Sequence, residues 1–510
     1  MHIDARTLDN NSLIEGDLCI IGTGAAGISM ALEWIGSGRN VIMLEGGGFD
    51  VEARMQALYK GESLDRPYYP LHAARLHYFG GTTGHWAGYC STFDPIDFEK
   101  RDWVPHSGWP ITKAQMDPFY ARANKLLELG PYEYGAEYFE KQDPEVKRLP
   151  LDGKVIYPKM WQFSPPTRMG TLYRDPILKA ENVRLYTYAK VVEVVPNRDI
   201  TAIEGLRVKT IEGREHQVRA KHYVMACGTI HNARLLLASN SRAPNGIGNQ
   251  NDLVGRFFQE HFEIMAAQLS LEKPQPFRLY TIPAAGPVRA RAELALTAEV
   301  QRKHKILNGT ASLSPGVITG REQSRFATFS PDAVANVRSR KGKSQSQAVS
   351  GPLPPETSYI LTTRQEQSPN PESRIVLGTE KDELGMPLAN LRWKFTKLDK
   401  RSIRIFYELL GQEMGRAGLG RVQMMDWLLD KDDDSWPSIL AAGWHHMGTA
   451  RMHDDPKQGV VDANCKVHGL SNLFVAGDAV YTTSGAVNPT LTVVAVALRL
   501  SDHLKNKVLV

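Results

Sequence analysis

A chain of 510 residues, 42% hydrophobic and 23% charged, has a globular composition and length for two or three ordinary domains or one large interleaved pair. Its formal net charge of +5 is too slight to argue for nucleic acid as a partner. No apolar run has the length of a membrane span, and the longest, residues 491–500, contains Thr492 and Arg499 and reads as a buried helix.

The first residues are polar and lack the apolar core of a secretory signal, so the expected location is cytoplasmic. Asp17-Leu18-Cys19-Ile20-Ile21 reads as a buried parallel strand. Gly22-Thr23-Gly24-Ala25-Ala26-Gly27 follows, then helical spacing over 28–35 and a second strand, 40–44, that ends in Glu45. This is a strand-turn-helix-strand unit for a dinucleotide. Gly22 permits the tight turn, Gly24 leaves room for a pyrophosphate, and Gly27 lets the helix lie on the strand. The helix start at Ala25 and Ala26 offers free N–H groups and a partial positive charge to the phosphates. Glu45 accepts from the adenosine ribose hydroxyls, which disfavours a 2′-phosphate and so NADP.

A second cluster runs from about 182 to 240, with strands expected at 183–186, 189–195, 216–218 and 223–229 and a helix from Ala233. Between the clusters, residues 49–179 are rich in Tyr, Trp, His and Pro. Residues 262–434 carry strand-like segments at 263–271, 358–363, 374–378 and 391–395. Residues 335–356 are polar and rich in Pro, Gly and Ser, which suits a solvated surface loop or, as the sharper alternative, a lid over the active site. Cys19, Cys90, Cys227 and Cys465 are far apart and read as reduced packing residues, without a metal signature.

The C-terminal block carries the chemistry. Leu473-Phe474-Val475-Ala476-Gly477-Asp478 is an apolar strand ending in Gly-Asp, where the Asp suits the ribityl chain or pyrophosphate of FAD or, more blandly, a turn. Asn488-Pro489-Thr490 reads as a helix start with Asn488 as N-cap and Pro489 at the first helical position. The same helix N-terminus would stabilise negative charge on the flavin pyrimidine edge. His445 and His446 are adjacent, so an extended backbone turns them to opposite sides. A histidine in this block suits general-base removal of a hydroxyl proton while hydride leaves the carbon for flavin N5.

At this point the sequence resembles the glucose-methanol-choline (GMC) flavoprotein oxidoreductases over nearly its whole length. The markers are the turn at 22–27 with Glu45, Phe79-Gly80-Gly81-Thr82-Thr83-Gly84-His85-Trp86-Ala87, Gly108-Trp109-Pro110-Ile111, Asp117-Pro118-Phe119-Tyr120 and Cys227-Gly228-Thr229. Val254-Gly255-Arg256 with His261, Ser373-Arg374-Ile375, His-x-x-Gly-Thr and Asn-Pro-Thr complete them. The resemblance implies that His445 is the base and Asn488 its partner. It implies FAD contacts at Gly81, Thr82, His85, Trp86, Ala87, Val191, Gly228, Gly477, Asp478, Pro489 and Thr490. The 80–86 loop is most similar to that of pyranose oxidases and bacterial sugar dehydrogenases. It admits a covalent FAD bond through His85 without making that the default. Ile230-His231-Asn232 stands where Thr-Pro is usual, and the cysteine-rich insertion of some sugar dehydrogenases is absent.

The expected fold is α/β: a discontinuous Rossmann-like FAD domain (14–48, 180–261, 435–510) and an α+β substrate domain, an antiparallel sheet flanked by helices (49–179, 262–434). The expected activity is oxidation of a secondary alcohol of a sugar or glycoside, at C2 or C3 of a pyranose, with Gln365 and Gln367 as substrate contacts. Oxygen, a quinone or a protein would accept the electrons. The alternatives are oxidation of a primary or non-sugar alcohol in natural-product metabolism, a flavin-bound lyase, and nucleotide binding without catalysis.

Overall fold

The computed structural model describes residues 1–275, 277–281, 289–318, 357–438 and 440–509. The expected loop or lid at 335–356 lies outside the described residues. Leu18 to Ile21 and Val41 to Leu44 are buried along their whole length, as parallel strands covered on both faces must be. They lie at the centre of a sheet ordered His2–Asp4, Val183–Thr187, Val41–Leu44, Leu13–Ile21 and Glu215–Met225, all parallel. Strand Leu473–Val475 joins the C-terminal end of Glu215–Met225 in parallel. The other end of that strand pairs antiparallel with Ile203–Lys209, which pairs in turn with Lys190–Pro196. Helix Ala25–Trp34 buries Ile28, Met30, Ala31 and Trp34, and it packs against helix Thr490–His503. The first and last nucleotide-binding pieces therefore share one core.

A second sheet is antiparallel, in the order Gly420–Met424, Phe262–Leu271, Ser358–Gln365, Gly309–Pro315, Ala290–Leu296, Ile156–Phe163 and Tyr89–Cys90. Strand Ser358–Gln365 alternates half-buried and buried residues, the period of a strand with one face in a core. Helix Lys397–Arg416 covers the sheet with Ile403, Phe406, Tyr407 and Leu410. Among the described residues no helix is long and apolar enough to cross a membrane.

Several expected boundaries shift. His2–Asp4 pairs with Val183–Thr187, so the parallel sheet begins before residue 14. Ala441–Ala442 pairs with Phe262 and Glu263 in the antiparallel sheet, beyond the boundary at 434. The strand expected at 391–395 is Pro387–Arg392, and the helix expected from Ala233 starts at Thr229. The hairpin of Arg374–Lys381 and Pro387–Arg392 lies outside both large sheets and packs on helix Thr229–Ala238. Its Ile375 and Leu391 join the nucleotide-side core, as do Phe93, Trp109 and Tyr120. The two long insertions thus contribute to both cores, because short apolar segments settle wherever they find a complementary face.

Candidate active site

One cavity of about 590 Å³ runs from the turn at residues 22–26 past Gly81 to Ala87 and ends at His445 and Asn488. Its first part is a cradle for a dinucleotide. Gly22 has φ +99°, and a Cβ there would meet the Ala226 carbonyl at 2.6 Å, so only glycine suits the turn. Helix Ala25–Trp34 has no side-chain cap, which leaves its first N–H groups for an anion. A Cβ on Gly24 would meet nothing within 4 Å, and it lies where a pyrophosphate must approach. Glu45 is buried at the end of the second strand. Its Oε2 accepts from Thr23 Oγ1 (2.5 Å) and its Oε1 from Gly47 N–H (2.9 Å), leaving lone pairs for ribose hydroxyls. The buried Nε2 of His85 has no partner among the described residues, and burial beside Arg168 holds this imidazole down to about 4. These features fit FAD.

Of the residues expected to hold the cofactor, Gly22, Gly24, Ala25, Ala26, Glu45, Gly81, Thr82, His85, Trp86, Ala87, Val191, Gly228, Gly477, Asp478, Pro489 and Thr490 all line this cavity. Gly27 does not. It packs the helix on the turn, where an added Cβ would lie 2.0 Å from the Gly22 carbonyl.

His445 and Asn488 meet, with Nδ2 of the amide 3.0 Å from Nε2 of the ring. The amide orientation is set by Trp161, whose indole Nε1 donates to Asn488 Oδ1 at 3.0 Å. Indole nitrogen only donates, so Nδ2 must face His445. The expectation that Asn488 caps the last helix gives way. That helix starts at Thr490 with Pro489 before it and no side-chain cap, because the Asn488 amide is drawn to Trp161 and His445. Pro489 and Thr490, at the start of this uncapped helix, still line the cavity. Trp161→Phe removes the donor that orients the amide. We expect flavin reduction by substrate to slow by roughly 3–10-fold, the worth of about one hydrogen bond, with cofactor content unchanged. Stopped-flow absorbance reads this, and an unchanged rate would mean that the amide is oriented without the indole.

Behind the His445 ring, Glu260 accepts the backbone N–H groups of His445 (2.7 Å) and His261 (2.9 Å) on the same oxygen. Burial pushes this carboxyl up to about 8. The hydroxyl of Tyr68 donates to Glu260 Oε2 at 2.6 Å and lies 2.8 Å from His446 Nε2. His446 is thereby held in a polar wall. Thr229 Oγ1 lies 2.8 Å from both the His446 carbonyl and Asp478 Oδ1, tying this wall to the cofactor cradle.

Gln365 and Gln367 do not reach the cavity. Gln365 is buried in its strand and donates to the Asn308 carbonyl at 2.9 Å. The Oε1 of Gln367 accepts from Trp393 Nε1 (2.9 Å) and from Glu260 N–H (3.0 Å), so this amide braces Glu260 behind His445. Near His445 the cavity is lined instead by Tyr89, Glu263, Arg291, Arg364 and Trp444. Arg364 pairs with Glu263 (2.9 Å) and Glu293 (3.2 Å), and Arg291 pairs with Glu293 (2.6 Å). The four charges cancel, and the buried Nε of Arg291 has no partner among the described residues.

Sequence reasoning also missed Lys190, His77 and His231 near Glu45. Lys190 Nζ lies 2.9 Å from His231 Nε2 and 3.3 Å from His77 Nε2, and burial beside Arg234 pulls its ammonium down to about 7. The signal was present: a lysine opening an apolar strand, and a histidine where the family resemblance expects Thr-Pro.

Residues 369–497 match a family model described as GMC oxidoreductase, and residues 17–245 match one described as FAD dependent oxidoreductase. The fructose dehydrogenase large subunit of Gluconobacter japonicus is 23% identical over 98% of this chain and 99% of its own. The C-glycoside 3-oxidase of Microbacterium trichothecenolyticum is 32% identical over a shorter stretch, 25% of this chain and 23% of that protein. A solved formate oxidase structure matches with a TM-score of 0.55 at 15% identity, covering 98% of this chain and 99% of that one, a likeness of fold.

Proposed function

We propose that this chain, an FAD-dependent alcohol oxidoreductase of the GMC family, oxidises a secondary hydroxyl of a sugar or glycoside, at C2 or C3 of a pyranose, to the ketone. The observation that carries this reading is the His445–Asn488 pair at the end of the cofactor cavity. Bound in the cradle, FAD supplies the acceptor for the hydride. The chain supplies the rest. On substrate binding the Asn488 N–H passes from His445 Nε2 to the hydroxyl oxygen and orients it, and Nε2, its lone pair freed, takes the hydroxyl proton. Glu45 and the turn at 22–26 hold the nucleotide half.

Two features support a sugar. The quartet of Glu263, Arg364, Glu293 and Arg291 has no net charge and presents fixed donors and acceptors, which suits a neutral polyhydroxylated molecule better than an ion. Two relatives are also named for action on fructose and on C-glycosides.

The test is anaerobic mixing of the holoenzyme with a panel of pyranoses and glycosides. Bleaching of the flavin by some of them, with a ketosugar as product, is the expected result. Bleaching only by primary or non-sugar alcohols would overturn the sugar reading, and bond cleavage without bleaching would mean a lyase. Oxygen admitted after bleaching reads the electron acceptor: rapid recovery of colour means an oxidase.

A further inference from the structure

We propose that His261 is a positioning residue that fixes the tautomer of His445, placing the ring hydrogen on Nδ1 and the lone pair on Nε2. The inference rests on the reading of His445 as the base and specifies which nitrogen accepts the proton. His261 is fully buried just ahead of strand Phe262–Leu271. Its Nε2 lies 2.9 Å from the Gly485 carbonyl and 3.2 Å from that of Ser484. Carbonyl oxygens only accept, so Nε2 carries hydrogen. Burial and the charge of Arg364 keep the ring neutral, with a pKa of about 3, and a neutral imidazole with hydrogen on Nε2 has only a lone pair at Nδ1. That lone pair faces His445 Nδ1 at 3.0 Å. One hydrogen joins the two nitrogens, and it must belong to His445.

The opposite end of the chain gives the same answer independently. Trp161 donates to Asn488 Oδ1, so the amide presents N–H to His445 Nε2. A hydrogen on Nε2 would set donor against donor. Carbonyls at one end and an indole at the other act in one direction only, so each bond between them has a single polarity. The geometry is braced: one oxygen of Glu260 holds the backbones of both histidines, and their rings meet edge to face, centroids 5.0 Å apart. Ser484 and Gly485 lie in the segment that leads to Asn488, so His261 also sets the base against its partner.

A consequence follows for the proton. Once His445 Nε2 takes it from the substrate hydroxyl, the positive charge is shared toward His261 Nδ1, but the relay ends on carbonyls that take no proton. The proton leaves only by Nε2, into the cavity.

Nitrogen-15 NMR of histidine-labelled holoenzyme without substrate reads the tautomer directly, with His445 assigned by the signal lost in His445→Gln. We expect a protonated-type shift at Nδ1 and an unprotonated-type shift at Nε2. The reverse pattern overturns the proposal, whatever the activity shows, and so separates it from a failure of the base assignment. Kinetics give a second readout. His261→Leu removes the acceptor and should lower kcat about 10²-fold with little change in KM. His261→Asn, whose Oδ1 can accept from His445, should recover most of that loss. A leucine variant as fast as wild type, or an asparagine variant as slow as the leucine one, would also overturn it. The NMR arm stands if the leucine variant does not fold.

Discussion

His445→Ala is expected to slow reduction of the flavin by its substrate by about 10²–10⁴-fold, the usual contribution of a positioned general base, while FAD content stays at the wild-type level. The cradle explains the second half: Gly22, Gly24, Glu45 and the loop at 81–87 form the cofactor's part of the cavity without help from the His445 ring. The first half follows from the absence of a ready substitute. His446, the adjacent imidazole, is held at Tyr68, and His261 spends its Nε2–H on carbonyls. The pH dependence has a definite sign. The base works only when neutral. Burial, with His261, Arg364 and His446 adding to it, holds His445 well below the usual imidazole range. The active form therefore persists as pH falls through about 6.5, the ordinary histidine value, and is lost only in stronger acid. A profile of kcat/KM should be level across that region. An inflection near 6.5 that disappears in His445→Gln would contradict the burial argument, and a wild-type rate of flavin reduction in His445→Ala would remove His445 from the mechanism.

What could be read from the chain was written over short distances. The turn at 22–27 is legible because its strand, glycines and helix are consecutive, and Glu45 follows at the end of the next strand. The block from His445 to Thr490 is similar: one segment carries the proposed base, a strand that lines the cofactor cavity and a helix start. The parts that escaped come from far away. His261 reaches His445 across 184 positions and Trp161 reaches Asn488 across 327, and no local periodicity records such a meeting. Asn488 shows how a local rule is overridden. Asn-Pro is a sound helix-start signal, yet the amide gains more from an indole donor and an imidazole acceptor than from the helix end. Gln365 and Gln367 fail for the opposite reason. Their polar side chains suggest substrate contacts, but buried amides must find protein partners, and these two find them behind the site. The cavity wall of Glu263, Arg291 and Arg364 comes from three different strands, so it exists only once the antiparallel sheet has formed.

The last two glycines of the cofactor turn, Gly24 and Gly27, should respond in opposite ways to the same added methyl group. Gly27→Ala would put Cβ 2.0 Å from the Gly22 carbonyl and 3.4 Å from Ile20. Backbone on one side and a buried strand on the other leave no flexible side chain to move aside. The helix must shift off the sheet, at a cost of about 1–3 kcal/mol or more, so the apoprotein itself should unfold earlier in urea. Gly24→Ala meets nothing within 4 Å, and its φ of −76° suits alanine. The apoprotein should keep its unfolding midpoint to within about 0.5 kcal/mol. Its new methyl group, however, occupies the approach of the pyrophosphate, and FAD affinity should fall by roughly 10–100-fold, about 1.4–2.8 kcal/mol. Urea melts of the two apoproteins and fluorescence titration with FAD separate stability from binding. If Gly24→Ala binds FAD as tightly as wild type, the pyrophosphate does not pass over Gly24. If Gly27→Ala unfolds at the wild-type midpoint, the contact between helix and turn is looser than 2.0 Å allows. The opposite responses follow from what faces each hydrogen atom: at one glycine the protein's own backbone, at the other the space that the cofactor enters.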